Sequence, residues 1–120
     1  MARILVVEDS PSTYEAFRQA LEKAGHEVSV APNGNAAIKR AKADKPDLIL
    51  MDIVMPEMNG FQATRRLTSD PETASIPVVM VTTKDQETDK VWSRRQGAVG
   101  YLTKPVKGQD LVDEVARVLA

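Results

Sequence analysis

Five short apolar runs rich in β-branched residues recur along this chain between amphipathic stretches: Ile4 to Val7, Val28 to Val30, Leu48 to Met51, Val78 to Val81, and Tyr101 to Leu102. Runs of that length, bounded by polar residues, read as strands buried in a sheet. Between them the apolar period changes. Tyr14, Phe17 and Leu21 share one helical face, as do Phe61, Thr64 and Leu67, and then Leu111, Val115 and Val118. Local punctuation agrees: Ser10-Pro11 suits a helix start, Asn33 and Asn59 suit N-caps, and Gly25 and Gly97 suit helix stops. Pro71 to Pro77 reads as a loop before the fourth strand. Strand and helix alternating throughout predict a doubly wound α/β chain, a parallel sheet between two layers of helices. With 120 residues there is length for one domain, 1–120, and none for a second core.

Strand character predicts strand position. A strand buried on both faces reads as continuous apolar sequence, whereas an edge strand can alternate. The first, third and fourth runs are continuous; His26-Glu27-Val28-Ser29-Val30 alternates, and Gly100-Tyr101-Leu102-Thr103 is short and mixed. The second and fifth strands are therefore expected at the edges, which fits the flavodoxin-like order 2-1-3-4-5.

In such a sheet the site lies outside the carboxyl ends of the strands, where the first and third diverge. Four of the five ends deliver polar side chains: Glu8-Asp9, Asp52, Thr82-Thr83 and Lys104-Pro105. Neighbouring strands lie about 4.8 Å apart, so Glu8, Asp9 and Asp52 are expected to converge. Three carboxylates that close must raise a pKa or hold a cation, and oxygen ligands without His or Cys suit Mg²⁺. Such an ion would offset the repulsion between Asp52 and an incoming phosphoryl group, leaving Asp52 as nucleophile. Lys104 can neutralise one phosphoryl oxygen and the Thr82 hydroxyl can donate to another. Taken singly, these residues also have plain readings: strand-end acids as solvated turn residues, Lys104 as a structural ion-pair partner.

Composition narrows the alternatives. Sixteen basic residues balance 17 acidic ones, so no bulk field draws the chain to nucleic acid or membrane. There is no cysteine and one histidine, which excludes disulfides, thiolate chemistry and His-rich metal sites. The apolar run after Met1-Ala2-Arg3 is too short for a signal-peptide core or a membrane span, so a soluble, unexported, cytoplasmic and monomeric protein is expected.

The acidic pair after the first strand, MDIVMPEMNG around the third, VTT after the fourth and YLTKP after the fifth together resemble the response-regulator receiver domain, CheY-like, over the whole chain. The resemblance implies a two-component signalling protein, phosphorylated on Asp52 by a sensor histidine kinase, a CheA-like one among the options, and docking an unknown downstream protein. It implies that Glu8, Asp9, Asp52 and the Val54 carbonyl hold Mg²⁺, that Thr82 and Tyr101 form a switch pair, that Lys104 is the family lysine, and that Lys104-Pro105 is cis. NGFQATRRLT, and TTKDQETDKVWSRRQGA followed by YLTKPV, look more narrowly like single-domain regulators of type IV pilus twitching motility. Val54 and Lys84 stand where relatives carry an amide or acid able to orient a hydrolytic water, so slow self-dephosphorylation is expected.

Other functions fit less well. A flavin carrier wants a Gly/Ser/Thr-rich loop where Glu8-Asp9 would repel phosphate, and an aspartyl-phosphate hydrolase wants an acid where Val54 stands. A degenerate receiver that only binds partners would lack some of Asp9, Asp52, Thr82 and Lys104. No P-loop or Rossmann fingerprint is present. Tyr101 reads by default as an edge-strand packing residue, His26 as a surface residue, Arg94-Arg95 as a solvated helix end, and Trp92 equally as core or docking surface.

Overall fold

A computed structural model describes residues 1–120. Five strands alternate with five helices: β1 (Arg3–Val7), α1 (Pro11–Lys23), β2 (Glu27–Ala31), α2 (Gly34–Asp44), β3 (Leu48–Met51), α3 (Gly60–Ser69), β4 (Val78–Thr82), α4 (Glu87–Arg95), β5 (Gly100–Thr103) and α5 (Gly108–Leu119). All neighbouring strands pair in parallel, in the order β2-β1-β3-β4-β5. The expected sheet is thus present, with the mixed-character strands at its edges.

Side-chain alternation along the buried strands builds two cores, one on each face. Leu5, Val7, Ile49, Met51, Val78 and Met80 pack with Ala37 and Ala41 of α2 and with Ala63 and Leu67 of α3. Ile4, Val6, Leu48, Leu50, Val79 and Val81 pack with Phe17 and Leu21 of α1 and with Leu111 and Val115 of α5. Every residue of β3 and β4 is buried, so a polar substitution there would strand its side chain in apolar surroundings. Tyr14, Phe61 and Val118, expected on core faces, pack at the margins.

Helix ends follow their sequence cues. The Asn33 side chain accepts from the Ala36 N–H at 2.8 Å, and Asn59 with Gln62 forms a reciprocal capping box. Gly25 and Gly97, just past α1 and α4, have φ of 95° and 105°, where a Cβ is disfavoured. Ser10 precedes Pro11 as expected but makes no side-chain capping bond.

Three expectations are refined. β2 does not alternate cleanly: Val28, Ser29 and Val30 are all half-buried and Ala31 is buried, because the strand is flanked by α1 and α2. His26 is half-buried, not a simple surface residue, and its Nδ1 accepts from the Ala2 N–H at 3.0 Å, tying the N-terminus to the start of β2. Trp92 is on the surface, with 48% of its area exposed, which removes the core reading.

Candidate functional site

Register sets the site. Val7 pairs with Met51 and Thr82 with Thr103, so Glu8 and Asp52 leave the sheet side by side while Lys104 leaves just past the end of β4. One carboxylate oxygen each from Glu8, Asp9 and Asp52 can be chosen so that all lie within 4.8 Å of one another. Glu8 and Asp52 are buried and Asp9 is exposed, so the acidic cup opens to solvent on one side.

Backbone contacts hold this cup in place. The Ser10 N–H donates to Glu8 Oε2 at 3.1 Å and the Val54 N–H donates to Asp52 Oδ1 at 3.3 Å. The Asp52 N–H donates to the Val7 carbonyl, joining the two acidic strand ends. A further determinant escaped the sequence reading: a Cβ at Gly60 would lie 2.2 Å from the Asp52 carbonyl oxygen. Only glycine lets the N-terminus of α3 sit this close behind Asp52. Its signal was the Asn-Gly pair of MDIVMPEMNG, which looked like a cap alone.

Lys104 reaches over the cup. Its Nζ donates to Glu8 Oε1 and lies 3.4 Å from Asp52 Oδ2. Burial pushes the Glu8 carboxyl above its ordinary pKa and the Asp52 charge acts the same way, whereas the hydrogen bonds from Lys104 and Ser10 pull it down. The all-oxygen donor set, with one side open to water, is the chemistry a hard divalent cation such as Mg²⁺ takes.

Other expected residues stand around this centre without joining it. Thr82 is buried at the end of β4, and its Oγ1 accepts from the Lys84 N–H at 3.5 Å. Tyr101 is half-buried on β5, its hydroxyl donating to the Lys84 carbonyl at 2.6 Å. Burial, with the negative charges of Asp89, Asp85 and Asp52, raises its phenol to about 12. Both members of the expected switch pair thus hydrogen-bond the same residue, Lys84. Val54 and Lys84 are exposed beside the cup. The Lys104-Pro105 bond is cis.

A doubly wound sheet whose switch point carries three converging carboxylates, two of them contacted by one lysine, defines an acidic-pocket α/β protein. The receiver-domain profile, "Response regulator receiver domain", matches residues 4–116. The chain belongs to the response regulator receiver family. It is 58% identical to Protein PilH of Pseudomonas aeruginosa, over 100% of this chain and 99% of that one. Response regulator PleD of Caulobacter vibrioides is 42% identical over 88% of this chain, a match spanning 23% of that larger protein. Among solved structures, the chemotaxis protein CheY4 of Vibrio cholerae superimposes with a TM-score of 0.94 at 33% identity, covering 99% of both chains. Receiver domains bind Mg²⁺ and work with histidine kinases, and the acidic triad needed for the ion is present here. No helix is long and apolar enough to cross a membrane.

Proposed function

We propose that this chain is a single-domain response regulator, residues 1–120, that takes a phosphoryl group on Asp52 and changes its surface in response. The observation that carries the reading is the convergence of Glu8, Asp9 and Asp52, with the Lys104 ammonium on Glu8 and Asp52. In the reaction a carboxylate oxygen of Asp52 attacks the phosphorus of a kinase phosphohistidine. A phosphorus–oxygen bond forms, the phosphorus–nitrogen bond breaks, and the imidazole leaves with the bonding pair. The protein catalyses only this self-phosphorylation and the later hydrolysis, and turns over no separate substrate.

Glu8, Asp9, Asp52 and the Val54 carbonyl are the ligands for Mg²⁺, which when bound supplies charge neutralisation between phosphoryl oxygens and carboxylates. On phosphorylation, Lys104 exchanges its contact with Glu8 for a phosphoryl oxygen. The Thr82 hydroxyl donates to another oxygen of the attached group. Movement of Thr82 vacates space near the end of β4, and Tyr101 gives up the Lys84 carbonyl and turns inward. Phosphorylation thereby shifts an existing equilibrium between two packings of α4, β5 and α5.

The full-length likeness to PilH supports placing the switch in type IV pilus motility signalling, downstream of a chemotaxis-like kinase. It acts there in the cytoplasm as a monomer, without nucleic acid or membrane as a ligand, either docking another protein or draining phosphate from a second regulator. Intact-mass measurement after treatment with a small phosphodonor and Mg²⁺ tests the reading. The native chain should gain one phosphoryl group and Asp52→Asn none. Equal labelling of both, or of neither under conditions that label another receiver, overturns it.

A further inference from the structure

A groove of about 590 Å³ runs between α3 and α4, on the flank of α4 that faces α3, outside the acidic cup. Met58, Phe61 and Trp92 give it an apolar lining, Arg65 and Arg66 add two exposed guanidinium groups, and Glu57 is its only acid. The Arg95 guanidinium stands 5.9 Å from the Trp92 ring centroid, adding a third positive charge. These arginines differ from most others in the chain. Arg3, Arg18, Arg40 and Arg117 each have a carboxylate within salt-bridge distance, whereas Arg65, Arg66 and Arg95 have none. A chain of net charge −1 thus gathers uncompensated cations around its one tryptophan.

We infer that this groove docks an acidic segment of a partner protein, with an apolar side chain against Trp92 and carboxylates on Arg65, Arg66 and Arg95. Guanidinium groups pair with carboxylates in a bidentate fashion, and exposed Trp and Arg are the residues in which binding energy concentrates. The groove is preformed: Thr68 Oγ1 donates to the Gln96 carbonyl at 2.7 Å, fixing α3 to the end of α4. Little reorganisation therefore opposes docking. Gln62 and Gln96 line the groove with both donors and acceptors, which suits peptide amides. A nucleic-acid phosphate offers acceptors alone and would leave the Gln96 side-chain oxygen unmatched.

The inference does not rest on phosphorylation, so its test is run on the full chain with and without Asp52→Asn. Trp92 is the only tryptophan and reports occupancy by its emission. The probes are synthetic peptides carrying glutamates around one leucine or phenylalanine in varied order, with glutamine counterparts. Glutamate peptides should shift Trp92 emission saturably and glutamine peptides should not, and added salt should weaken binding. Arg65→Glu with Arg66→Glu should lower affinity at least about tenfold. Both positions are exposed, so an unchanged circular dichroism spectrum and unfolding midpoint are expected and exclude misfolding. Binding of a labelled peptide, read by anisotropy, should survive Trp92→Phe and fail in Trp92→Ala. Absence of binding by every glutamate peptide at low salt, equal binding by the charge-reversed variant, or tighter binding of a single-stranded oligonucleotide overturns the inference.

Discussion

The residues nearest Asp52 divide into those that build its charge environment and those that set how long a phosphoryl group would stay. Val54 and Lys84 belong to the second kind: both are exposed beside the cup, and neither offers a lone pair that can orient water while the lysine is protonated. Val54→Asn with Lys84→Glu supplies such groups. Loss of phosphate, followed after the donor is removed, should speed up about tenfold or more. An unchanged rate would mean that access of water, not its orientation, limits hydrolysis. Tyr101 carries a second prediction. Burial first, then the charges of Asp89, Asp85 and Asp52, hold its phenol near 12 instead of 10.0. The native-minus-Tyr101→Phe difference in phenolate absorbance should have its midpoint near 12. Because the folded value lies above the unfolded one, ionisation penalises the native state, and stability falls as pH rises between the two. A midpoint near 10.0 would show that the ring is more open to water than its bond to the Lys84 carbonyl implies.

Helix starts separate what a sequence discloses from what only coordinates disclose. Asn33, Asn59 and Ser10 are all favourable N-cap residues, yet only the two asparagines make the capping bond. Asn59→Ala should therefore cost about 1 kcal/mol in denaturant unfolding, and Ser10→Ala distinctly less. Equal losses would mean that Ser10 caps α1 in solution. The central places of β1, β3 and β4 and the acidic strand ends were legible because their causes are local: continuous apolar runs, and polar residues where four of the five strands stop; the order itself came from the flavodoxin-like pattern those strands fit. The groove between α3 and α4 was not legible. It depends on which way Trp92 turns and on the Thr68 bond to Gln96, both set by packing between elements distant in sequence. The seat of Gly60 against the Asp52 carbonyl was hidden for the same reason, as was the choice of Glu8 as a partner of Lys104.

At the scale of the whole molecule, the fold gathers like charges where the chain leaves β1 and β3, and two tightly packed cores prevent those strand ends from spreading. Lys104 contacts Glu8 and Asp52 and offsets part of that repulsion, but one positive charge does not balance three carboxylates. A divalent cation that binds the assembled cup and not the unfolded chain must therefore stabilise the fold. The gain is RT ln(1 + [L]/Kd), about 2.7 kcal/mol when free Mg²⁺ exceeds Kd a hundredfold. Thermal unfolding should show a midpoint that climbs by several degrees with Mg²⁺ and is insensitive to NaCl at matched ionic strength. Asp9→Asn is the informative variant, because Asp9 is exposed and its replacement leaves both cores intact. That variant should unfold at or above the native midpoint without Mg²⁺, having lost a repulsive charge, and should gain little when the ion is added. An equal Mg²⁺ increment in both proteins would place the ion elsewhere and leave the three carboxylates without the countercharge that the proposed phosphorylation of Asp52 requires.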